Sequence, residues 1–215
     1  MAATPKKQFK NIHVLCRFNY SKHKEFIEVA IDLGRSIAER KLHLMWGGGN
    51  RELSKLVSEA AFVRESQVLG IIPRSLKPLG SLCDSPTGKE LVVSCMQDRI
   101  TKMLNHDDIF IFLPGDLVTL ESLITLASCA HLHIHQKLIG LLNVNNFYDG
   151  FIAFLNHAIK NYFILSTAKK SLFVLILLMN YLICYKLIDQ NQIQGPWCWG
   201  IQIMMVTVAA RRSTN

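Results

Sequence analysis

Short runs that are almost wholly apolar, each followed by a stretch with apolar residues at helical spacing, most restrict how this chain can fold. Ile109–Phe112 reads Ile-Phe-Ile-Phe, and Val68–Ile72 reads Val-Leu-Gly-Ile-Ile. Successive strand residues face opposite sides, so an all-apolar strand needs cover on both. Lys24–Arg40 offers such cover, with Phe26, Ile27, Ala30, Leu33, Ile37 and Ala38 at helical spacing. The patterns predict strands over Asn11–Cys16, Leu42–Trp46, Val68–Ile72, Leu91–Cys95, Asp108–Leu113 and Lys137–Asn143. They predict helices over Lys24–Arg40, Arg51–Val63, Met96–Asn105, Thr119–His133 and Phe147–Lys160. Arg74–Lys89, with two prolines and two glycines, reads as a loop. Strands alternating with helices indicate an α/β domain, a parallel sheet with helices on both faces. Ligands of such sheets sit beyond the carboxyl ends of the strands.

The 215 residues suit one domain and a tail, and an apolar half is enough for a large core. The expected division is a polar extension over 1–8, the α/β domain over 9–170 and a divergent apolar tail over 171–215. Leu172–Met179 and Tyr181–Tyr185 together make an apolar run of about 14 residues, short of the roughly 20 that span a bilayer. A buried or poorly folded terminal segment is therefore expected there rather than a membrane anchor. The net charge of +8 is dispersed, with clusters only at Lys6, Lys7 and Lys10 and at Arg211 and Arg212. That balance permits an anionic ligand, but no nucleic-acid partner is expected. Cys16, Cys83, Cys95, Cys129, Cys184 and Cys198 form no CxxC pair, and the start of the chain lacks an apolar signal region. Reduced thiols in an intracellular protein are expected, in the cytoplasm with the nucleus as a second compartment.

Leu113–Ser122, Leu-Pro-Gly-Asp-Leu-Val-Thr-Leu-Glu-Ser, is the stretch where chemistry is expected. A strand that breaks at Pro-Gly and restarts as a helix aims several backbone N–H groups at one place, which favours an anion. Gly47, Gly48 and Gly49 follow another strand, either to bring backbone close to a ligand or to make a tight turn. They do not continue into a dinucleotide fingerprint. Arg99 sits near the start of a helix, where it either grips an anion in bidentate fashion or belongs to a solvated face beside Asp98. His131 and His135, if helical, share a face in the manner of a zinc pair, with His133 between them. No third ligand is evident, and partly buried or surface histidines are the expected reading.

With those residues in view, the domain from about Phe9 to Lys170 resembles the LONELY GUY family of cytokinin-activating phosphoribohydrolases. The resemblance is carried by Val14-Leu15-Cys16, Ala30-x-x-Leu33-Gly34, Trp46-Gly47-Gly48-Gly49 and Leu56-Val57-Ser58. It continues through Val68-Leu69-Gly70-Ile71-Ile72-Pro73, Met96-x-x-Arg99, Leu113-Pro114-Gly115 and Gly140-Leu141-Leu142-Asn143-Val144. It implies a Rossmann-like domain, a homodimer, and neither metal nor cofactor. The implied reaction is hydrolysis of the N-glycosidic bond of cytokinin nucleoside 5′-monophosphates, releasing free base and ribose 5-phosphate. An older label for the family, lysine decarboxylase, finds no pyridoxal-phosphate site here.

The family pattern Pro-Gly-Gly-x-Gly-Thr-x-x-Glu implies a substrate site over Gly115, Asp116, Leu117, Val118, Thr119, Leu120, Glu121 and Ser122. Gly47, Gly48, Gly49, Arg99, Ile100 and Ser128 are its further members, and Arg99 and Glu121 the implied catalytic pair. Departing base leaves positive charge on the sugar, which a nearby carboxylate stabilises, or the carboxylate activates water. Pro114, Gly115 and Thr119 match the pattern, and Glu121 matches a second Glu that the family usually carries just before the last. Asp116 and Val118 replace the second and third glycines, and Ser122 replaces the final Glu. Asp116 sets an acid where a phosphate would seek N–H groups, and Val118 sets a branched side chain where glycine dihedrals are expected. Glu121 is one helical step, about 100°, from the position of the lost carboxylate. Cys16-Arg17-Phe18-Asn19 stands for the family's Cys-Gly-Ser-Ser, Glu52 and Lys55 for two glycines, Ile100 for a Lys, and Gly80 for an acidic contact. The alternative expectation is a catalytically impaired homologue that binds a nucleotide or serves as a dimer partner.

Overall fold

The computed structural model describes residues 9–16, 24–48, 53–77 and 87–164. Gly49, Gly80, the Arg17-Phe18-Asn19 segment and the apolar tail lie outside them. Six strands, β1 (Asn11–Leu15), β2 (His43–Trp46), β3 (Val68–Pro73), β4 (Lys89–Val93), β5 (Ile109–Phe112) and β6 (Leu138–Leu141), form one sheet. Their order is β4-β3-β2-β1-β5-β6, and every neighbouring pair is parallel. Among the described residues, four α-helices run between strands, α1 (Lys24–Glu39), α2 (Leu53–Phe62), α3 (Met96–His106) and α4 (Leu117–His131), and α5 (Asp149–Lys160) follows β6.

Strand alternation divides the core into two layers. Ile109, Ile111 and Leu113 join Ile12, Val14, Leu44 and Trp46 on one face, under Val29, Leu33 and Ile37 of α1 and Val57 of α2. Phe110 and Phe112 join Leu15, Ile139 and Leu141 on the other, against Met103 of α3 and Leu123 and Leu126 of α4. The sheet is thus covered on both faces, as its apolar strands demand. Edge strand β4 is the polar one: Lys89 is exposed, and Glu90 lies 3.6 Å from Lys77. Charge on an edge strand discourages pairing with another chain.

The predicted elements differ from the observed ones mainly at their ends. Helix α4 begins at Leu117 because the Asp116 side chain accepts from the N–H groups of Val118 and Thr119. A side-chain oxygen there satisfies donors that have no intrahelical partner. The same helix ends at His131, where His133 takes φ +59° and its N–H donates to the Ala130 carbonyl while that of Ile134 donates to Cys129. This is a Schellman termination with histidine where glycine is usual. His131 and His135 therefore do not share a helical turn, against the condition for a zinc pair. Lys41 and Glu65 close α1 and α2 with the same bond pattern and φ of +55° and +65°. The predicted loop after β3 starts as a 3-10 turn, Arg74–Leu76.

Candidate active site

The sheet order reverses between β1 and β5, since β1 leads on to β2 on one side and borders β5 on the other. A crevice at such a switch point is where α/β sheets bind ligands. Cys16 follows β1 there, Leu113 to Asp116 follow β5, and Gly47 and Gly48 follow the adjacent β2.

The turn after β2 is built around a buried cation. Arg99 of α3 is 6 % exposed, so it does not belong to a solvated helix face. A Cβ on Gly47 would lie 2.8 Å from Arg99 Nη2, so glycine is what lets the guanidinium reach this backbone. Gly48 takes φ +69°, a conformation that glycine adopts without steric cost. Ile100, beside Arg99, packs in the second core layer with Met103 and Leu123.

The turn after β5 is built around an anion. Gly115 lies directly over Thr119, and a Cβ there would sit 2.2 Å from the Thr119 hydroxyl oxygen. Asp116 Oδ1 accepts from Val118 N at 3.0 Å and from Thr119 N at 3.2 Å. The N–H groups that the sequence aims at an anion are engaged by the protein's own carboxylate. Val118 is half-buried inside α4 and absent from the left-handed region, so its branched side chain causes no backbone strain. Thr119 is 3 % exposed under Gly115. Leu117 stands 81 % exposed, whereas Leu120 packs partly against the second core layer.

Further along α4, Ser122 is fully buried on the inner side and Glu121 exposed on the outer side. The Ser122 hydroxyl donates to the Val118 carbonyl at 3.1 Å and reaches Glu121 Oε2 at 3.2 Å. Thr125 Oγ1 holds the other carboxylate oxygen at 3.3 Å. Thr125 thus holds the exposed carboxylate from one side, and the single Ser122 proton is shared between its other oxygen and the Val118 carbonyl. Ser128 is exposed on the same outer face as Glu121, at helical spacing of seven residues.

Sequence reasoning missed the latch that positions this turn. Tyr148, 1 % exposed, donates its hydroxyl to the Leu113 carbonyl at 2.5 Å. Its backbone N–H donates to Asn143 Oδ1, and Asn143 Nδ2 donates to Asp149 Oδ1, both at 2.7 Å. Burial, with a smaller contribution from the Cys16 charge, pushes the Tyr148 phenol well above its ordinary pKa, so it remains a donor. Asn143, polar at the end of an apolar strand, was the signal. Also unforeseen is a buried His13–Asp107 pair, Nδ1 to Oδ2 at 2.7 Å, with both side chains fully buried.

Comparison with known proteins agrees with this architecture. A family model described as "Possible lysine decarboxylase" matches residues 54–182. The cytokinin riboside 5′-monophosphate phosphoribohydrolase LOG3 of Arabidopsis thaliana is 37 % identical over 165 residues, 77 % of this chain and 76 % of that protein. The enzyme of the same description, LOG, from Oryza sativa subsp. japonica is 37 % identical over 163 residues, 76 % of this chain and 67 % of that protein. Among solved structures, the molybdenum cofactor binding protein of Rippkaea orientalis aligns with a TM-score of 0.57 at 18 % identity, over 86 % of this chain and 96 % of its own. That likeness shows a shared fold. Extended similarity to the plant proteins, together with the parallel sheet and the two glycine turns at its carboxyl ends, means that the chain belongs to the LONELY GUY family.

Proposed function

We propose that this chain hydrolyses the N-glycosidic bond of cytokinin riboside 5′-monophosphates, the reaction named for its plant relatives. The observation that carries the proposal is the buried Arg99 guanidinium held against Gly47 at the carboxyl end of the sheet. A fixed guanidinium in a partly dehydrated crevice suits a phosphorylated substrate and costs no reorganisation when it binds. Glu121 supplies the carboxylate, steadied by Ser122 and Thr125, to stabilise positive charge on the sugar or to activate water. A homodimer belongs to the same reading. Leu117 and Ile124, 81 % and 53 % exposed on the outer face of α4, form an apolar stripe beside Glu121 that a second copy would cover.

A second reading, a homologue that binds a nucleotide or pairs with another copy without turnover, is favoured by Ser122. Its buried hydroxyl stands where the family motif carries a carboxylate. One assay separates the two: the full chain is incubated with isopentenyladenosine 5′-monophosphate and free base is followed by chromatography. Release is expected, reduced about 100-fold or more in Arg99→Ala and in Glu121→Ala. No release above a mock preparation would sink the enzymatic reading. Turnover restored by Asp116→Gly, Val118→Gly and Ser122→Glu together would then establish the impaired homologue.

A further inference from the structure

We infer that Asp116 is a specificity-determining residue: it cancels the advantage of a 5′-phosphate, so that the crevice takes the uncharged nucleoside at least as well as the nucleoside 5′-monophosphate. The inference rests on the hydrolase reading above and concerns the substrate class of that same site. The N-terminus of α4 opens at the switch point of the sheet, where its N–H groups and helix dipole would draw an anion. Here the anion is built in. Asp116 Oδ1 accepts from Val118 N and Thr119 N at 3.0 and 3.2 Å, and the backbone carbonyl of Asp116 accepts from Leu120 N at 3.1 Å.

A phosphate reaching this turn meets two N–H groups already engaged and a fixed negative charge that repels it. Arg99 still attracts the phosphate from the β2 turn, and Asp116 offsets that attraction. A 5′-hydroxyl fares differently, because it donates a hydrogen bond and a carboxylate has about four acceptor sites. With the nucleoside, water oxygen bonds to the anomeric carbon as the C–N bond breaks. The bonding pair leaves with the base nitrogen, which ends protonated, and water's other hydrogen stays on the ribose hydroxyl. The products are free base and ribose, and no further reactant is needed.

The test compares isopentenyladenosine with its 5′-monophosphate on the full chain, by calorimetric titration and by base release. The readout is the nucleotide-to-nucleoside affinity ratio within each protein. Wild type should bind the nucleoside as tightly as the nucleotide or more tightly. Asp116→Gly should shift the ratio at least tenfold toward the nucleotide. Asp116→Asn keeps a capping oxygen and therefore the helix start, and should shift the ratio in the same direction by less. A wild-type ratio already tenfold in favour of the nucleotide overturns the inference, as does a ratio that neither variant moves. Base release with such a nucleotide preference would refute this inference and leave the hydrolase reading standing. The expected ratios without base release would do the reverse, and binding of neither ligand to any of the three proteins would refute both.

Discussion

Two strand-to-helix turns at the carboxyl end of the sheet, one after β2 and one after β5, use glycine to opposite ends. At Gly47 the missing side chain makes room for a cation brought from α3, a separate element. At Gly115 it makes room for Thr119 of the helix that the turn itself begins, and the adjacent Asp116 closes that helix with a local carboxylate. The first turn depends on distant packing and leaves a charge at the crevice. The second fills its own space and caps its own helix within the five residues from Gly115 to Thr119, while Tyr148 holds Leu113 just before them. Space at a turn can therefore be retained while its chemistry changes from receiving an anion to supplying one.

That contrast predicts different responses to the same methyl group. In Gly115→Ala the new Cβ would lie 2.2 Å from Thr119 Oγ1 and 2.6 Å from Thr119 Cβ, against an atom fixed in a helix. Overpacking of this kind should cost about 1–3 kcal/mol, read as a lower midpoint in denaturant unfolding. In Gly47→Ala the new Cβ would lie 2.8 Å from the far end of the Arg99 side chain, which can swing aside. Stability should fall by less than about 1 kcal/mol, while base release from the nucleotide falls about tenfold through the displaced guanidinium. Equal stability losses at the two sites would break the distinction between a turn held by its own helix and one held from afar.

Much of this was legible because it rests on local patterns. The unbroken apolar run of Ile109–Phe112 determines a strand buried on both faces, whereas Asp116, expected only as an acid in a phosphate's place, is the cap that starts its helix at Leu117, two residues before Thr119. Helix ends were less legible, since Lys41, Glu65 and His133 occupy left-handed positions where a sequence reader expects glycine. Arg99 was ambiguous for a different reason: its burial depends on Gly47, 52 positions earlier in the chain, and no helical periodicity encodes that contact. Tyr148 and Leu113 are likewise brought together only by the adjacency of β5 and β6, so their hydrogen bond has no local signal.

A smaller effect tests whether the β5 turn has moved its carboxylate rather than lost it. Ser122 Oγ is 3.2 Å from Glu121 Oε2, and Thr125 Oγ1 is 3.3 Å from Oε1. If Glu121 works in that pose, Ser122→Ala removes one of its two orienting donors and should lower kcat about threefold with little change in KM, the size of one modest hydrogen bond. Thr125→Val should act similarly, and Glu121→Ala should make both changes silent. Rates in the two hydroxyl variants indistinguishable from wild type would count against a positioned Glu121.

The smallest expected effect concerns the far end of α4, where acid should weaken the fold without touching the turn that begins the helix. His135 is buried; one ring nitrogen, Nε2, donates to the Leu126 carbonyl at 2.9 Å, and the other, Nδ1, accepts from Lys137 N at 3.0 Å. That arrangement requires the neutral ring. Burial holds the His135 pKa below its ordinary 6.5, opposed by the Leu126 hydrogen bond and assisted by the Lys137 charge. A depressed histidine pKa means that the unfolded chain takes up the proton first. Its stabilising contribution is complete above about pH 6.5 and is lost as pH falls through the folded value. Denaturant midpoints at pH 8 and pH 5 should differ more in wild type than in His135→Gln, which carries no titrating ring. Asp116→Asn should leave the wild-type difference in place, since its cap lies at the opposite end of the helix. An acid loss that followed Asp116 instead would mean that the helix is held from its site end, and would reverse the contrast between a self-contained β5 turn and the packing that anchors it.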